Sequence, residues 1–251
     1  MDFKFDLTGK LAVVTGGNKG IGKGIASGLA AAGADIIIIA RTVTEGDIVE
    51  LRSYGVDVYG INFDLRNFDK YDDLVSGIIN KYGKIDILIN NAGLTIRHPS
   101  VEFPKEDWDK VIDINLNAPF YLCQKIGKHM VANGQGKIIN IASLLSYIGG
   151  YTVPAYAASK GGVSQFSKSL SNEWAKYGVN VNCIAPGYIE TNLTEAILED
   201  EKRNNEILSR IPAGRWGKPE DLSGIAVFLS SQASDYINGC TIPVDGGFLG
   251  W

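Results

Sequence analysis

Short runs of apolar, largely β-branched residues recur along the chain and alternate with longer amphipathic stretches. LAVVTGG is followed by GKGIASGLAAAGA and then DIIIIA; later come IDILINNAG, KIINIAS and VNVNCIAPG. A strand that is apolar at every position must be buried on both faces, as in a parallel sheet covered by helices. Strand and helix in alternation imply right-handed βαβ crossovers, hence an α/β fold with a doubly wound, mainly parallel sheet. No linker, low-complexity segment or internal repeat interrupts the 251 residues, which read as a single domain spanning 1–251.

Composition narrows the function classes. The formal charge of −4 is small and dispersed, which argues against a nucleic acid or an acidic membrane surface as partner. Cys123, Cys183 and Cys240 are far apart and lack metal-type spacing, so a reducing, cytoplasmic location is expected rather than a disulfide framework. His98 and His129 read as surface or packing residues, and no metal site is expected. MDFKFDLTGK has no signal-peptide core, and runs such as DIIIIA are far too short to span a bilayer.

In open α/β sheets, ligands bind beyond the carboxyl ends of the strands. Those ends carry TGGNKGIG, AR, DLR, NNAG, ASLLS and APGYIET. In TGGNKGIG, Gly16, Gly20 and Gly22 allow a sharp turn and a close approach of backbone to a pyrophosphate at a helix N-terminus. The spacing is G-x-x-x-G-x-G, and glycines serving only close packing are the alternative. The second strand ends at Ala40 without an acid to accept from ribose hydroxyls. Arg41 follows it, with Lys19 in the glycine loop, a pair suited to a 2′-phosphate if not simply to solvent. NADP(H) is therefore favoured, with NAD(H) possible. Asp64, in DLR, can accept from an adenine amino group or can cap a turn.

YAASK places Lys160 one helical turn after Tyr156, on the same side. A free phenol, with a pKa of about 10, is a poor base at neutral pH, and a nearby ammonium together with the positive charge of an oxidised nicotinamide is expected to lower that value.

With these motifs in order, the chain strongly resembles the short-chain dehydrogenase/reductase family. The likeness runs from TGGNKGIG through NNAG, IAS, YAASK and IAPGYIET to VDGG, nearly the whole chain. It implies a single Rossmann-like domain with a seven-stranded sheet, assembled as a homotetramer. It also implies Tyr156 as acid/base, Lys160 as its electrostatic partner, Ser143 as the substrate-orienting hydroxyl and Asn115, in DINLNAP, as a fourth catalytic residue. The implied dinucleotide contacts are Gly16, Asn18, Lys19, Gly20, Ile21, Gly22, Arg41, Asp64, Leu65, Asn91, Ala92, Gly93, Tyr156, Lys160, Pro186, Gly187, Ile189 and Thr191.

Substrate selection rests on less. The charged stretch NLTEAILEDEKRNNEILSRIPAGRW, 192–216, is expected to be helical and to act as a lid or as a solvated surface. Arg97, in LTIRHPS near the expected pocket mouth, can take a substrate carboxylate beside Ser143 and Tyr156, or can simply be exposed. Within the family, GKIINIASLLSYIGGYTVPAYAASKGGV, NEWAKYGVNVNCIAPGYIETN, EILSRIPAGRWGKPEDL and SDYINGCTIPVDGGFLGW are most similar to the 2-dehydro-3-deoxy-D-gluconate 5-dehydrogenases, also called 2-deoxy-D-gluconate 3-dehydrogenases. That resemblance implies hydride transfer between a nicotinamide cofactor and a sugar acid, although such enzymes usually use NAD. Gluconate 5-dehydrogenase, another carbonyl reductase such as a 3-oxoacyl-carrier-protein reductase, and a non-catalytic dinucleotide-binding redox sensor are the alternatives.

Overall fold

The all-apolar runs do become the strands of a parallel sheet. The computed structural model describes residues 5–250, so the closing Trp251 lies outside the described residues. β1 (Leu11–Thr15), β2 (Asp35–Ala40), β3 (Val58–Asn62), β4 (Ile87–Asn90), β5 (Gly136–Ile141), β6 (Val179–Pro186) and β7 (Thr241–Val244) form one sheet in the order β3-β2-β1-β4-β5-β6-β7. Every neighbouring pair is parallel. The helices are α1 (Gly20–Ala31), α2 (Glu45–Arg52), α3 (Tyr71–Tyr82), α4 (Lys105–Ile112), α5 (Ala118–Asn133), α6 (Pro154–Trp174), α7 (Glu195–Leu198), α8 (Glu201–Leu208) and α9 (Ser223–Ser230).

The two-residue period of a strand divides the core into two layers. Ala12, Val14, Ile36, Ile38 and Ile89 pack against Ile25 and Leu29 of α1 and Leu229 of α9. Their neighbours Val13, Ile37, Ile39 and Leu88 face the other way, towards Tyr71 of α3 and Leu122 and Ile126 of α5. Ile36 to Ile39 have no solvent exposure, and each such side chain contributes about 1.5–3 kcal/mol of burial. These four residues alone commit β2 to the interior.

Strand order reverses between β1 and β4, which opens a crevice beyond their carboxyl ends. β1 leaves through the glycine turn, β4 through Asn91 to Gly93, β5 through Ala142 and Ser143, and β6 through Gly187. Between α4 and α5, residues Asp113–Asn117 form a widened π turn that buries Asn115. Such turns often mark functional positions.

The charged stretch 192–216 holds α7, α8 and the strand-free run to Trp216. Its inner side is apolar: Ile207, Ile211 and Trp216 pack with Leu144 and Phe248. Trp216 Nε1 donates to Asn204 Oδ1 at 2.9 Å, tying the run back to α8. Arg215 grips Asp221 with two bonds of 2.7 and 2.9 Å at the base of the segment.

Candidate active site

The first turn of the site depends on the absence of side chains. A Cβ on Gly22 would lie 2.2 Å from Gly16 O and 2.4 Å from Asn91 Nδ2, so α1 can press against the turn only because residue 22 is glycine. Gly16 and Gly20 have φ of 64° and 51°, conformations that side chains disfavour. Asn91 Nδ2 donates to Thr15 O at 3.0 Å and Gly16 O at 3.3 Å. Thr15 Oγ1 accepts from the backbone N–H of both Asn91 and Ala92 at 3.0 Å. Asn91 and Ala92 therefore hold the turn in place. Thr15, buried at the end of β1, is a member of this clasp that the motif reading passed over; its signal was a polar side chain closing an otherwise apolar strand.

The N-terminus of α1 has no side-chain cap at Lys19 and no acid in its first turn. Its leading N–H groups and positive dipole end thus suit an anionic diphosphate. Opposite, a Cβ on Gly20 would sit 3.4 Å from Thr191 Cγ2, so the loop after β6 closes over the glycine turn. Ile189 is buried there and bridges to Gly217. Gly187, where a Cβ would reach within 2.6 Å of Asp245 Cα, lets β6 pass the start of the C-terminal loop. Asn18 Nδ2 donates to Thr42 O at 3.0 Å, joining the glycine turn to the loop after β2, where Arg41 is exposed. Asp64 is clasped by Arg66 through bonds of 3.3 and 2.8 Å, which holds its carboxyl below the usual range. Leu65 is buried, and its carbonyl accepts from Tyr71 at 2.6 Å. These residues fit a dinucleotide laid across the sheet edge.

The four expected catalytic residues meet at the ends of β5 and α6. Ser143 is buried, its Oγ accepts from Leu145 N at 3.2 Å, and its hydroxyl acts on the Tyr156 phenol to oppose the effect of burial. Ser146 Oγ donates to Lys160 O at 2.7 Å, which fixes the turn after Ser143 on α6. Asn115 Nδ2 donates to Leu94 O at 2.8 Å and to Ser159 Oγ at 3.3 Å, while Asn115 Oδ1 accepts from Leu94 N at 2.9 Å. Gly93 makes this possible, since a Cβ there would sit 3.3 Å from Asn115 Oδ1.

Lys160 is buried, its Nζ donates to Ile141 O at 2.6 Å, and that nitrogen lies 5.7 Å from the Tyr156 ring centre. Burial pushes the ammonium down to about 8, the Cys183 thiol beside it opposing the shift. Tyr156 is governed by burial. Its ring is half-buried, yet burial of the hydroxyl raises the phenol above its ordinary value, and only the Ser143 hydroxyl pulls the other way. The ammonium is turned to a main-chain carbonyl, so within the protein desolvation outweighs the cation. Ile141 O is the partner that sequence reading could not supply, because a backbone carbonyl carries no residue signature.

His98 packs edge-on to Phe103, and its Nε2 donates to Asp107 Oδ2 at 2.8 Å. Arg97 is exposed, with Nη1 donating to Tyr151 O at 3.4 Å. Of the seven arginines, Arg52, Arg66, Arg203 and Arg215 have carboxylate partners. Arg41 after β2 and Arg97 in the loop after β4 form no such pair among the described residues.

The enoyl-(acyl carrier protein) reductase sequence profile matches residues 16–249. A protein of Pseudoalteromonas atlantica named 2-dehydro-3-deoxy-D-gluconate 5-dehydrogenase is 53% identical over 250 residues, covering 98% of each chain. The chain belongs to the short-chain dehydrogenase/reductase family. The Escherichia coli member with that same name is 50% identical over 246 residues, 98% of this chain and 97% of its own. Among solved members, an NADP-bound structure from Agrobacterium tumefaciens covers all of both chains with a TM-score of 0.94 and 48% identity. A gluconate 5-dehydrogenase from Burkholderia cenocepacia, in complex with NADP and tartrate, also has a TM-score of 0.94, at 39% identity over 99% of this chain and 98% of its own. This family member is an oxidoreductase of CH–OH groups.

Proposed function

We propose that the protein is an NADP(H)-dependent dehydrogenase of a sugar acid, interconverting a secondary hydroxyl and a ketone on a substrate such as 2-dehydro-3-deoxy-D-gluconate. What supports this reading is that Lys160 lies against Tyr156 and the end of β5, that Asn115 holds the loop after β4, and that α1 starts uncapped after β1 at the same edge of the sheet. The relatives' names and the NADP found in solved neighbours support substrate class and cofactor.

The bound nicotinamide would supply or accept the hydride at the substrate carbon. Ser143 donates to the substrate oxygen and orients it; Tyr156 passes a proton to that oxygen in reduction and removes it in oxidation. Lys160 holds positive charge next to the phenol and has N–H donors for the ribose hydroxyls. Asn115 fixes the backbone at Leu94 so that the next loop borders the pocket. Gly16, Asn18, Lys19, Gly20, Ile21 and Gly22 hold the diphosphate side, Arg41 and Lys19 the 2′-phosphate, and Asp64 and Leu65 the adenine. Asn91, Ala92, Gly93, Pro186, Gly187, Ile189 and Thr191 line the path to the nicotinamide.

Arg97 takes the substrate carboxylate, as a guanidinium with no acid of its own at the lip of the site. The 192–216 segment acts as the lid: its apolar inner face seats on Leu144, next to Ser143. The protein works in the cytoplasm as a homotetramer; its cysteines are free, and exposed Trp108, Tyr121 and Tyr236 offer apolar contact surface. No helix among the described residues is long and apolar enough to cross a membrane.

A 5-keto-D-gluconate 5-reductase from Escherichia coli, 42% identical over 251 residues, favours gluconate as a second reading. The deciding experiment is a panel of keto-sugar acids, simple ketones and acyl thioesters assayed with NADPH and NADH. Turnover of a deoxy keto-sugar acid at least tenfold above that of the other classes is expected; preference for an acyl thioester would overturn the proposal.

A further inference from the structure

We infer that His98 is a positioning residue for substrate selection: anchored to Asp107 and to the backbone of Thr152, it sets the guanidinium of Arg97 at the pocket lip. The inference rests on the reading of Arg97 as the carboxylate receptor and adds to it the part of the chain that aims that receptor.

The loop from Leu94 to His98 is tied at both ends. At its start, Asn115 both donates to Leu94 O and accepts from Leu94 N. At its end, His98 N donates to Thr152 O at 3.1 Å, and the His98 ring donates to Asp107 in the first turn of α4. The ring also stands edge-on to Phe103, with centroids 5.2 Å apart, so its plane is fixed from two directions. Arg97 lies between these anchors, immediately before the second.

Thr152 explains the far side of the contact. It is the one non-glycine residue with positive φ among those described, at 62°, a conformation that a β-branched residue strongly disfavours. Strain of this kind persists where surrounding bonds over-determine it, and it collects at ligand-binding sites. Here Thr152 O receives His98 N, and Thr152 Oγ1 donates to Tyr151 O at 2.6 Å. Tyr151 O also accepts from Arg97 Nη1 at 3.4 Å. The strained turn therefore presents two successive carbonyls to the Arg97–His98 pair, just ahead of Pro154, where α6 and its Tyr156 begin.

A guanidinium has five N–H donors in a rigid plane, and one of them is spent on Tyr151 O. That bond orients the plane and leaves the remaining edge for a bidentate carboxylate. With an exposed, otherwise unpaired arginine, orientation must come from the backbone, and His98 is what holds the backbone.

The test compares kcat/KM for a keto-sugar acid with kcat/KM for an uncharged ketose of similar size, using the full-length enzyme and NADPH. The readout is the ratio of the two. Arg97→Gln is expected to lower that ratio by roughly tenfold or more, the scale of a lost charge-assisted bond. His98→Ala should lower it by about threefold or more, chiefly through KM for the acid, and His98→Gln, which can still donate to Asp107, should restore most of the loss. The double variant Arg97→Gln/His98→Ala should be no worse than Arg97→Gln alone. An unchanged ratio in Arg97→Gln would remove the carboxylate reading and this inference with it. A reduced ratio in Arg97→Gln, together with equal losses on both substrates in His98→Ala, or multiplying losses in the double variant, would overturn the positioning role alone. Should His98→Ala melt well below wild type, Asp107→Ala, which removes the acceptor of the His98 ring, provides the same comparison from the other side of the contact.

Discussion

The ammonium of Lys160 lies 5.7 Å from the ring centre of Tyr156 and gives its short bond, 2.6 Å, to Ile141 O instead of to the phenol. The two groups are thus close enough to interact electrostatically without being hydrogen-bonded partners. Each is displaced towards its neutral form by burial: the phenol upwards, the ammonium down to about 8. Burying the Lys160 ammonium is unfavourable, and its thermodynamic consequence has a definite sign.

Because the folded-state value of Lys160 lies below its unfolded value, the folded chain holds this proton less tightly than the unfolded one. The cost is full below about pH 8 and fades as pH rises towards the ordinary lysine value of about 10.4. Lys160→Met, which also loses the bond to Ile141 O, should abolish turnover yet raise stability at pH 7 by about 1–3 kcal/mol. Thermal melts of both proteins at pH 7 and pH 9.5 provide the check, and the gap should narrow at the higher pH. A variant less stable than wild type at pH 7 would contradict the burial argument.

Tyr156→Phe removes only the hydroxyl on which Ser143 acts. General acid–base catalysis by one group contributes about 10²–10⁴-fold, so kcat should fall within that range while NADPH affinity stays within about threefold. Single-turnover assays and fluorescence titration of NADPH separate the two quantities. Loss of both together would mean that the phenol serves chiefly to hold the dinucleotide.

Most of this was legible in the sequence, and the exceptions share a cause. The β2 run DIIIIA could only be a strand buried on both faces, and the order of glycine turn, NNAG and YAASK located the sheet edge where Ser143 and Tyr156 meet. What remained hidden acts through the main chain. Ile141 O, Leu94 O and Thr152 O are carbonyls whose residue types announce nothing, and the left-handed conformation of Thr152 runs against its own propensity. One-turn spacing reports proximity to Lys160 but not how deeply both groups are buried, so the rise in the Tyr156 value within the protein carries no sequence signal. His98 read as a surface or packing residue since Asp107, its partner, lies on a separate helix.

Gly22→Ala tests the glycine turn. The added methyl would meet Gly16 O at 2.2 Å and Asn91 Nδ2 at 2.4 Å, and the first of these is backbone that cannot swing aside. Overpacking of this kind costs about 1–3 kcal/mol, and relief requires α1 to move away from the turn. A lower melting temperature is therefore expected together with at least tenfold weaker NADPH binding. Gly77→Ala, where a Cβ meets nothing within 4 Å, is the matched control: it should leave NADPH binding unchanged and, in the interior of α3, raise rather than lower the melting temperature.

Arg41→Asp tests the cofactor assignment. Arg41 is exposed at the end of β2, next to the Thr42 carbonyl that Asn18 grips, and no carboxylate among the described residues pairs with it. Its charge is therefore available to a 2′-phosphate. Reversing that charge replaces an attraction by a repulsion for NADPH, and for NADH it supplies the acid that can accept from the ribose hydroxyls. KM for NADPH should rise by roughly tenfold or more while KM for NADH falls or holds steady, the two bracketing a charge-assisted hydrogen bond of about 1.5–3 kcal/mol. Raising ionic strength should narrow the NADPH difference, since an exposed pair is screened over about 10 Å at 0.1 M salt. Equal losses for both cofactors would place Arg41 away from the phosphate and leave Lys19 as the cation that reads it.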